Sequence, residues 1–221
     1  PTVSLNTQGV EVFDIDLVDD NAELRVDMAL VTGMTTINVT DASAERVEFY
    51  NLGTGVTIDV HSDLHTAATT VEVVLADATG STDAQTFIVA AENGDDDVAL
   101  VAADIETINI SSDTAAQVNL SLAGITMTAA DARNTVNFTG ANDIELIATN
   151  ADVTTINASG MATGGALVQT GRSATEASTY TGSGGNDTFI MMNAGDILDG
   201  GAGTGDTLDI NMTQAVGTAI I

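Results

Sequence analysis

The chain has no cysteine, no tryptophan and no lysine, a single proline at Pro1, two histidines and only 3% aromatic residues. Without cysteine there is neither a disulfide framework nor a thiolate metal site. Secreted bacterial proteins exported in one step are commonly built this way, although the absence of cysteine alone fixes no compartment. With proline confined to Pro1, glycine, Asn, Asp and Thr must make the turns. No apolar run approaches the length of a membrane span, so membrane insertion is not expected. Residues 1–20 show no basic-then-apolar signal-peptide pattern. The stretch reads as a segment of something longer, with any type I export signal expected beyond Ile221. Basic residues are limited to Arg25, Arg46, Arg133 and Arg172. So few cations argue against nucleic acid or an anionic membrane surface as partner.

Acid is what the chain has in excess: 32 Asp and Glu leave a formal net charge of -28. A compact chain with so little internal countercharge repels itself, and bound divalent cations are the simplest relief. A halophile-type solvated surface is the alternative, but only 16% of residues are charged, which is low for that reading. Apolar residues make up 44% of the chain and its mean hydropathy is positive, which argues against disorder. With few aromatics, the core must come from Val, Ile, Leu and Ala, which suit thin stacked layers.

Apolar residues alternate with polar ones at Val10–Ile15, Val56–Val60 and Gln117–Leu122, the period of a half-buried strand, while helical periodicity is nearly missing. Met34–Thr40, Ile105–Ser111 and Val153–Ser159 share the pattern apolar-x-Thr-Ile-Asn-apolar-Ser/Thr. Their isoleucines, Ile37, Ile108 and Ile156, stand 71 and 48 residues apart, close to three and two units of about 24 residues. Further strand centres are expected near Phe13, Ile58, Phe87, Val136 and Tyr180. A second series is expected near Val26, Glu48, Val73, Leu100, Leu120, Leu146 and Val168. Two strands per unit predict an all-β parallel β-solenoid (β-helix), with Ile37, Ile108 and Ile156 in equivalent interior places. An antiparallel sandwich is the competing architecture, since it too has short strands at such spacing.

From Gly182 the repeat tightens to nine residues. Gly182-Ser183-Gly184-Gly185-Asn186-Asp187-Thr188-Phe189-Ile190 fits the nonapeptide G-G-x-G-x-D-x-U-x at every defined position but the second. Met191–Asp199 keeps Asp196 and Leu198 but lacks the glycines. Gly200–Leu208 restores them as Gly200, Gly201 and Gly203 and carries one extra residue before Asp206. Glycines let backbone carbonyls turn toward an ion. The aspartates supply hard anionic oxygen, and Ca²⁺ takes six to eight such ligands. The apolar residue two places after each Asp is expected to point into the core. Asp187 and Asp206 should lie along one edge of the stack, and Asp196 along the other. A degenerate copy, Asn93-Gly94-Asp95-Asp96-Asp97-Val98, puts Gly94, Asp96 and Val98 on the fourth, sixth and eighth positions. It reads as a further Ca²⁺ turn including Asn93 or as a solvated acidic turn. Asp19-Asp20-Asn21 is read as a solvated turn.

Residues Gly182 to about Ile210 resemble the calcium-binding repeats-in-toxin family. The resemblance implies a right-handed parallel β-roll that folds on binding Ca²⁺, and it divides the chain into a degenerate solenoid over 1–172 and a β-roll over 173–221. Members include secreted toxins, proteases, lipases, adhesins and surface-layer proteins, so the motif speaks of export and calcium and not of an activity.

Catalysis is not expected. His61-Ser62-Asp63-Leu64-His65 holds both histidines, yet no third ligand is identifiable and the pair reads as a surface loop after a strand. No nucleophile motif of the G-x-S-x-G kind is present. The seven methionines read as core filler. In style the segment is most similar to surface-layer proteins of Gram-negative bacteria. It is therefore expected to be an exported, extracellular lattice protein whose self-association Ca²⁺ supports, anchored through another domain to a surface glycan or lipopolysaccharide. An adhesin segment, or the export module of a type I secreted hydrolase, is the alternative.

Overall fold

The computed structural model describes residues 2–16, 23–40, 46–62, 69–91, 97–112, 117–126, 134–170, 177–191 and 193–210. The apolar alternation becomes strands, most with one row of side chains buried and the other facing out; the strands Thr2–Gln8, Ile197–Asp199 and Thr207–Ile210, toward the two ends of the chain, bury no side chain fully. In chain order the first are β1 (Thr2–Gln8), β2 (Val12–Asp16), β3 (Glu23–Thr32), β4 (Thr36–Thr40), β5 (Arg46–Leu52) and β6 (Thr57–Ser62). The middle of the chain forms β7 (Thr69–Leu75), β8 (Ala84–Ala91), β9 (Asp97–Ala103), β10 (Thr107–Ser112), β11 (Val118–Thr126), β12 (Thr135–Gly140) and β13 (Ile144–Thr149). Last come β14 (Thr155–Met161), β15 (Leu167–Gln169), β16 (Thr179–Thr181), β17 (Thr188–Met191), β18 (Ile197–Asp199) and β19 (Thr207–Ile210).

The odd-numbered strands form one ten-stranded sheet and the even-numbered strands a nine-stranded sheet. Every pairing is parallel. Parallel neighbours need a crossover, and here the opposite sheet supplies it, each coil giving one strand to each sheet. The chain is thus a parallel β-solenoid, and the antiparallel sandwich is ruled out. Coils vary in length: register partners are 24 residues apart at Phe13 and Ile37, 29 at Ile58 and Phe87, and 18 at Tyr180 and Leu198. In each sheet the strands that precede the 170s pair directly with those that follow, β15 with β17 and β14 with β16.

The inward rows of the two sheets meet in a single core, mostly aliphatic, that also takes in Phe49, Phe87, Phe138, Tyr180 and Phe189. In the even sheet, Phe13, Ile37, Ile58, Phe87, Ile110 and Phe138 are successive register partners. Burying each aliphatic side chain contributes roughly 1.5–3 kcal/mol. This column corrects one expectation. Ile37 stacks in line with Ile110, while Ile108 sits opposite Gln85 and continues to Val136 and Ile156. A two-residue slip keeps every side chain on its own face, because the strand period is two, so a motif comparison does not reveal it. Gln85 is fully buried, and its amide donates to Val56 O at 2.8 Å and Thr86 O at 2.9 Å.

The second strand series follows the odd sheet, with two positions facing outward where centres were expected. Glu48 lies on the outer row and bonds Arg25 at 2.9 Å, leaving Val47 and Phe49 inside. Val168 faces out between buried Leu167 and Gln169. Strand β1 was not foreseen; its apolar residues are sparse and most of it is exposed. His61, expected in a turn, lies within β6, with Nε2 3.0 Å from Asp59 Oδ1. His65 falls outside the described residues.

Candidate metal-binding turns

A parallel ladder leaves backbone N–H groups at its lower edge without partners until the next coil supplies an acceptor. The residue just before each strand sits at that edge, and several are acids. Asp187 precedes β17, Asp206 precedes β19 and Asp196 precedes β18, so Asp187 and Asp206 line one edge and Asp196 the other, as their spacing predicts.

Each of these carboxylates accepts from the register-matched residue of the preceding coil. Asp187 Oδ1 takes Leu167 N at 2.6 Å, Asp206 Oδ1 takes Asp187 N at 3.0 Å, and Asp196 Oδ1 takes Ser178 N at 2.9 Å. The same device appears at two positions that the motif search passed over. Buried Glu106 accepts Asp83 N at 2.9 Å, and Asp143 accepts Ala166 N of the following coil at 2.8 Å. The signal was present in the sequence: Glu106-Thr107, Asp143-Ile144, Asp187-Thr188, Asp196-Ile197 and Asp206-Thr207 each set an acid directly before a β-branched strand start. An ionised acceptor strengthens such a bond.

Asp187 is wholly buried and its oxygens are heavily used. Oδ2 accepts Ser183 N at 2.7 Å, and Ser183 Oγ lies within 3.0 Å of both carboxylate oxygens. Ser183 Oγ also reaches Gly165 O at 2.8 Å, tying this turn to the previous one. Asp206, by contrast, is exposed.

The glycines allow the turns to stack closely. A Cβ on Gly185 would overlap Gly165 O, and one on Gly203 would overlap Gly185 O, so these two positions admit no side chain, and Gly165 continues the column with only tight space for one. At Gly203, Asp206 Oδ1 converges with Gly185 O, and at Gly182, Asp187 Oδ2 converges with Gly200 O. Gly201 takes φ +80°, the left-handed region, and a Cβ there would overlap Ser183 O and Gly182 O. Gly184 packs on Thr163 of the coil before. Thr163, Gly165 and Asp143 therefore belong to the same edge as the nonapeptide turns, although no motif marks them. A polar groove of about 470 Å³ runs along it, lined by Asp143, Thr163, Gly185, Asn186, Gly203 and Thr204 among others.

This set of carboxylate and carbonyl oxygens is of the hard kind that Ca²⁺ prefers. Among the described residues no group of three or more Asp, Glu or His side chains gathers at one point, so a cation here would draw mainly on backbone carbonyls. The oxygens best placed for it are those of the exposed Asp206 carboxylate and the Gly185 carbonyl, which meet at Gly203, with the carbonyls of Gly182 and Gly200 further along the same edge. Asp187 fits better as the buried acceptor that holds the turn in shape. Asp196 lies on the opposite edge, the one that also carries Glu106, and accepts Asn193 N at 2.9 Å. Asn93, Gly94 and Asp96 lie outside the described residues, as do Asp19, Asp20 and Asn21. Phe189 is buried two places after Asp187, and Leu198 is half-buried. Leu208, expected to point into the core, is 49% exposed on β19, the last described strand.

No protein-family model, no curated protein and no solved structure matches the chain.

Proposed function

We propose that this chain is a non-catalytic, calcium-stabilised structural solenoid of the repeats-in-toxin kind, exported to the bacterial cell surface and assembled there with copies of itself into a surface-layer lattice. One observation carries the reading: stacked glycine turns gather carbonyl oxygens and the Asp206 carboxylate along one edge of a chain whose net charge is -28. A divalent cation in that place joins adjacent coils and offsets the repulsion among their acids. Rigid, cation-neutralised subunits are what a repeating two-dimensional array requires, since acidic surfaces would otherwise repel across every contact.

Calorimetric titration of chelator-treated protein with CaCl₂ tests the cation step. Saturable binding is expected, weakened by Asp206→Asn and unchanged by Asp209→Asn, with Mg²⁺ a poor substitute because it demands tighter octahedral geometry. Absence of saturable heat, or equal affinity in both variants, would overturn the assignment.

A further inference from the structure

The outer face of the even sheet is chemically unlike the rest of the molecule. From β8 through β10, β12, β14 and β16, the described outward-facing positions carry no charged side chain. The central three strands present Thr107 and Asn109, Thr135 and Asn137, and Thr155 and Asn157, each pair in register with the next. The remaining outward positions are Ala, Ile, Ser and Thr. The patch is bounded by Asp59 on β6 and Asp199 on β18. On the odd sheet the corresponding outer rows hold Glu23, Arg25, Glu48, Glu72, Asp97 and Glu145.

The face is also pre-organised. Asn157 Nδ2 donates to Asn137 Oδ1 at 3.3 Å, and Asn137 Nδ2 donates to Asn109 Oδ1 at 3.0 Å. Side chains already fixed in a ladder lose little further entropy on contact. Depletion of charge is the compositional mark of an interface core.

We infer that this neutral Thr/Asn face is the surface through which a second copy of the chain docks, face to face. The occupant follows from charge. A copy carrying the same net charge of -28 meets like-charge repulsion on acidic approaches, and this face is the broad described surface that spares it. Two-fold symmetry would set the same rows against each other. Five strands at about 4.8 Å spacing and about 17 Å of strand length give a patch well below the roughly 800 Å² per partner of a stable binary complex. The contact is therefore weak in isolation and effective when repeated through an array. The inference deepens the assembly reading above and rests on it.

Sedimentation velocity of the 221-residue chain in CaCl₂, from dilute to millimolar protein, tests it. Concentration-dependent dimerisation is expected. Thr135→Glu and Ser159→Glu should each weaken it by at least about tenfold through like-charge apposition, while Ser121→Glu on the odd sheet leaves it unchanged. Because the native chain has no cysteine, a spin label on Thr135→Cys gives a second readout that does not depend on the charged variants folding. Short intermolecular distances are expected there, and none from a label on Ser121→Cys. Wild-type association that Thr135→Glu and Ser159→Glu leave intact, with no short distance at position 135, would place the contact elsewhere and spare the assembly reading. Wild-type protein that stays monomeric throughout would overturn both.

Discussion

The Asp187 carboxylate joins two coils by accepting Leu167 N from one and Ser183 N from the other, and it does so wholly buried from bulk solvent. Removing an ionised acceptor from buried donors costs about 3 kcal/mol. Asp187→Ala should accordingly lower the stability of the C-terminal coils by about that amount, read as a fall in the urea midpoint, whereas Asp209→Ala on an exposed strand should change it little. Equal effects would mean that the buried acceptor role is misassigned. The motif singles out this aspartate as a calcium ligand. Its task within the fold, closing a ladder edge, was not written in the nonapeptide, because the donor Leu167 lies 20 residues away. Glu106 and Asp143 do the same work without any motif, so the position before a strand is a better guide to these acids than the glycine pattern is.

A strand of the solenoid depends on its two register neighbours. Ile108 on β10 is fully buried between Gln85 of β8 and Val136 of β12. Ile108→Asp would bury an unpaired carboxylate there, at a cost of several kcal/mol. Since coils touch mainly their neighbours, β8, β10 and β12 should lose amide protection first while β17 and β19 keep theirs in Ca²⁺. Residue-resolved hydrogen exchange decides this, and simultaneous loss of protection from β2 to β19 would show one cooperative core instead. Strand existence was legible from alternation almost everywhere; register was not. The slip that aligns Phe87 with Ile110 preserves inside and outside, so no pattern of hydrophobicity records it. Bulges behave likewise: β5 shifts register between Tyr50 and Leu52, where Asn51 takes φ 56° and its amide donates to Asp27 at 2.9 Å.

Across the whole molecule, electrostatics sets how stability answers to solution conditions. The two described arginines, Arg25 and Arg46, are both committed to ion pairs on the outer odd sheet, with Glu48 and with Glu72 and Glu23. Exposed pairs of this kind contribute little and leave the acidic excess almost untouched. NaCl should therefore raise the unfolding temperature as the Debye length shrinks from about 30 Å at 0.01 M to about 8 Å at 0.15 M. At matched ionic strength, Ca²⁺ at about a hundred times its dissociation constant should add about 2.7 kcal/mol, or roughly 5–10 °C for a chain of this size. Differential scanning calorimetry in NaCl, MgCl₂ and CaCl₂ separates the two effects. Identical curves at equal ionic strength would reduce the cation to a screening role.

The parallel ladders of the tertiary structure decided for the solenoid over the sandwich and set Asp187 and Asp206 on one edge with Asp196 opposite. The sequence by itself determined that this chain is all-β and where most of its strands fall. These are consequences of local alternation and of spacing, which survive any detail of packing. Tertiary structure alone decided which residues meet across coils: Gln85 inside the stack, Ile110 in place of Ile108 beneath Phe87, Gly165 and Asp143 on the turn edge, and an uncharged outer face assembled from β8 to β16. Each of these depends on coil lengths that range from 18 to 29 residues, and such variation is absorbed in the connections, where no hydrophobic period constrains it.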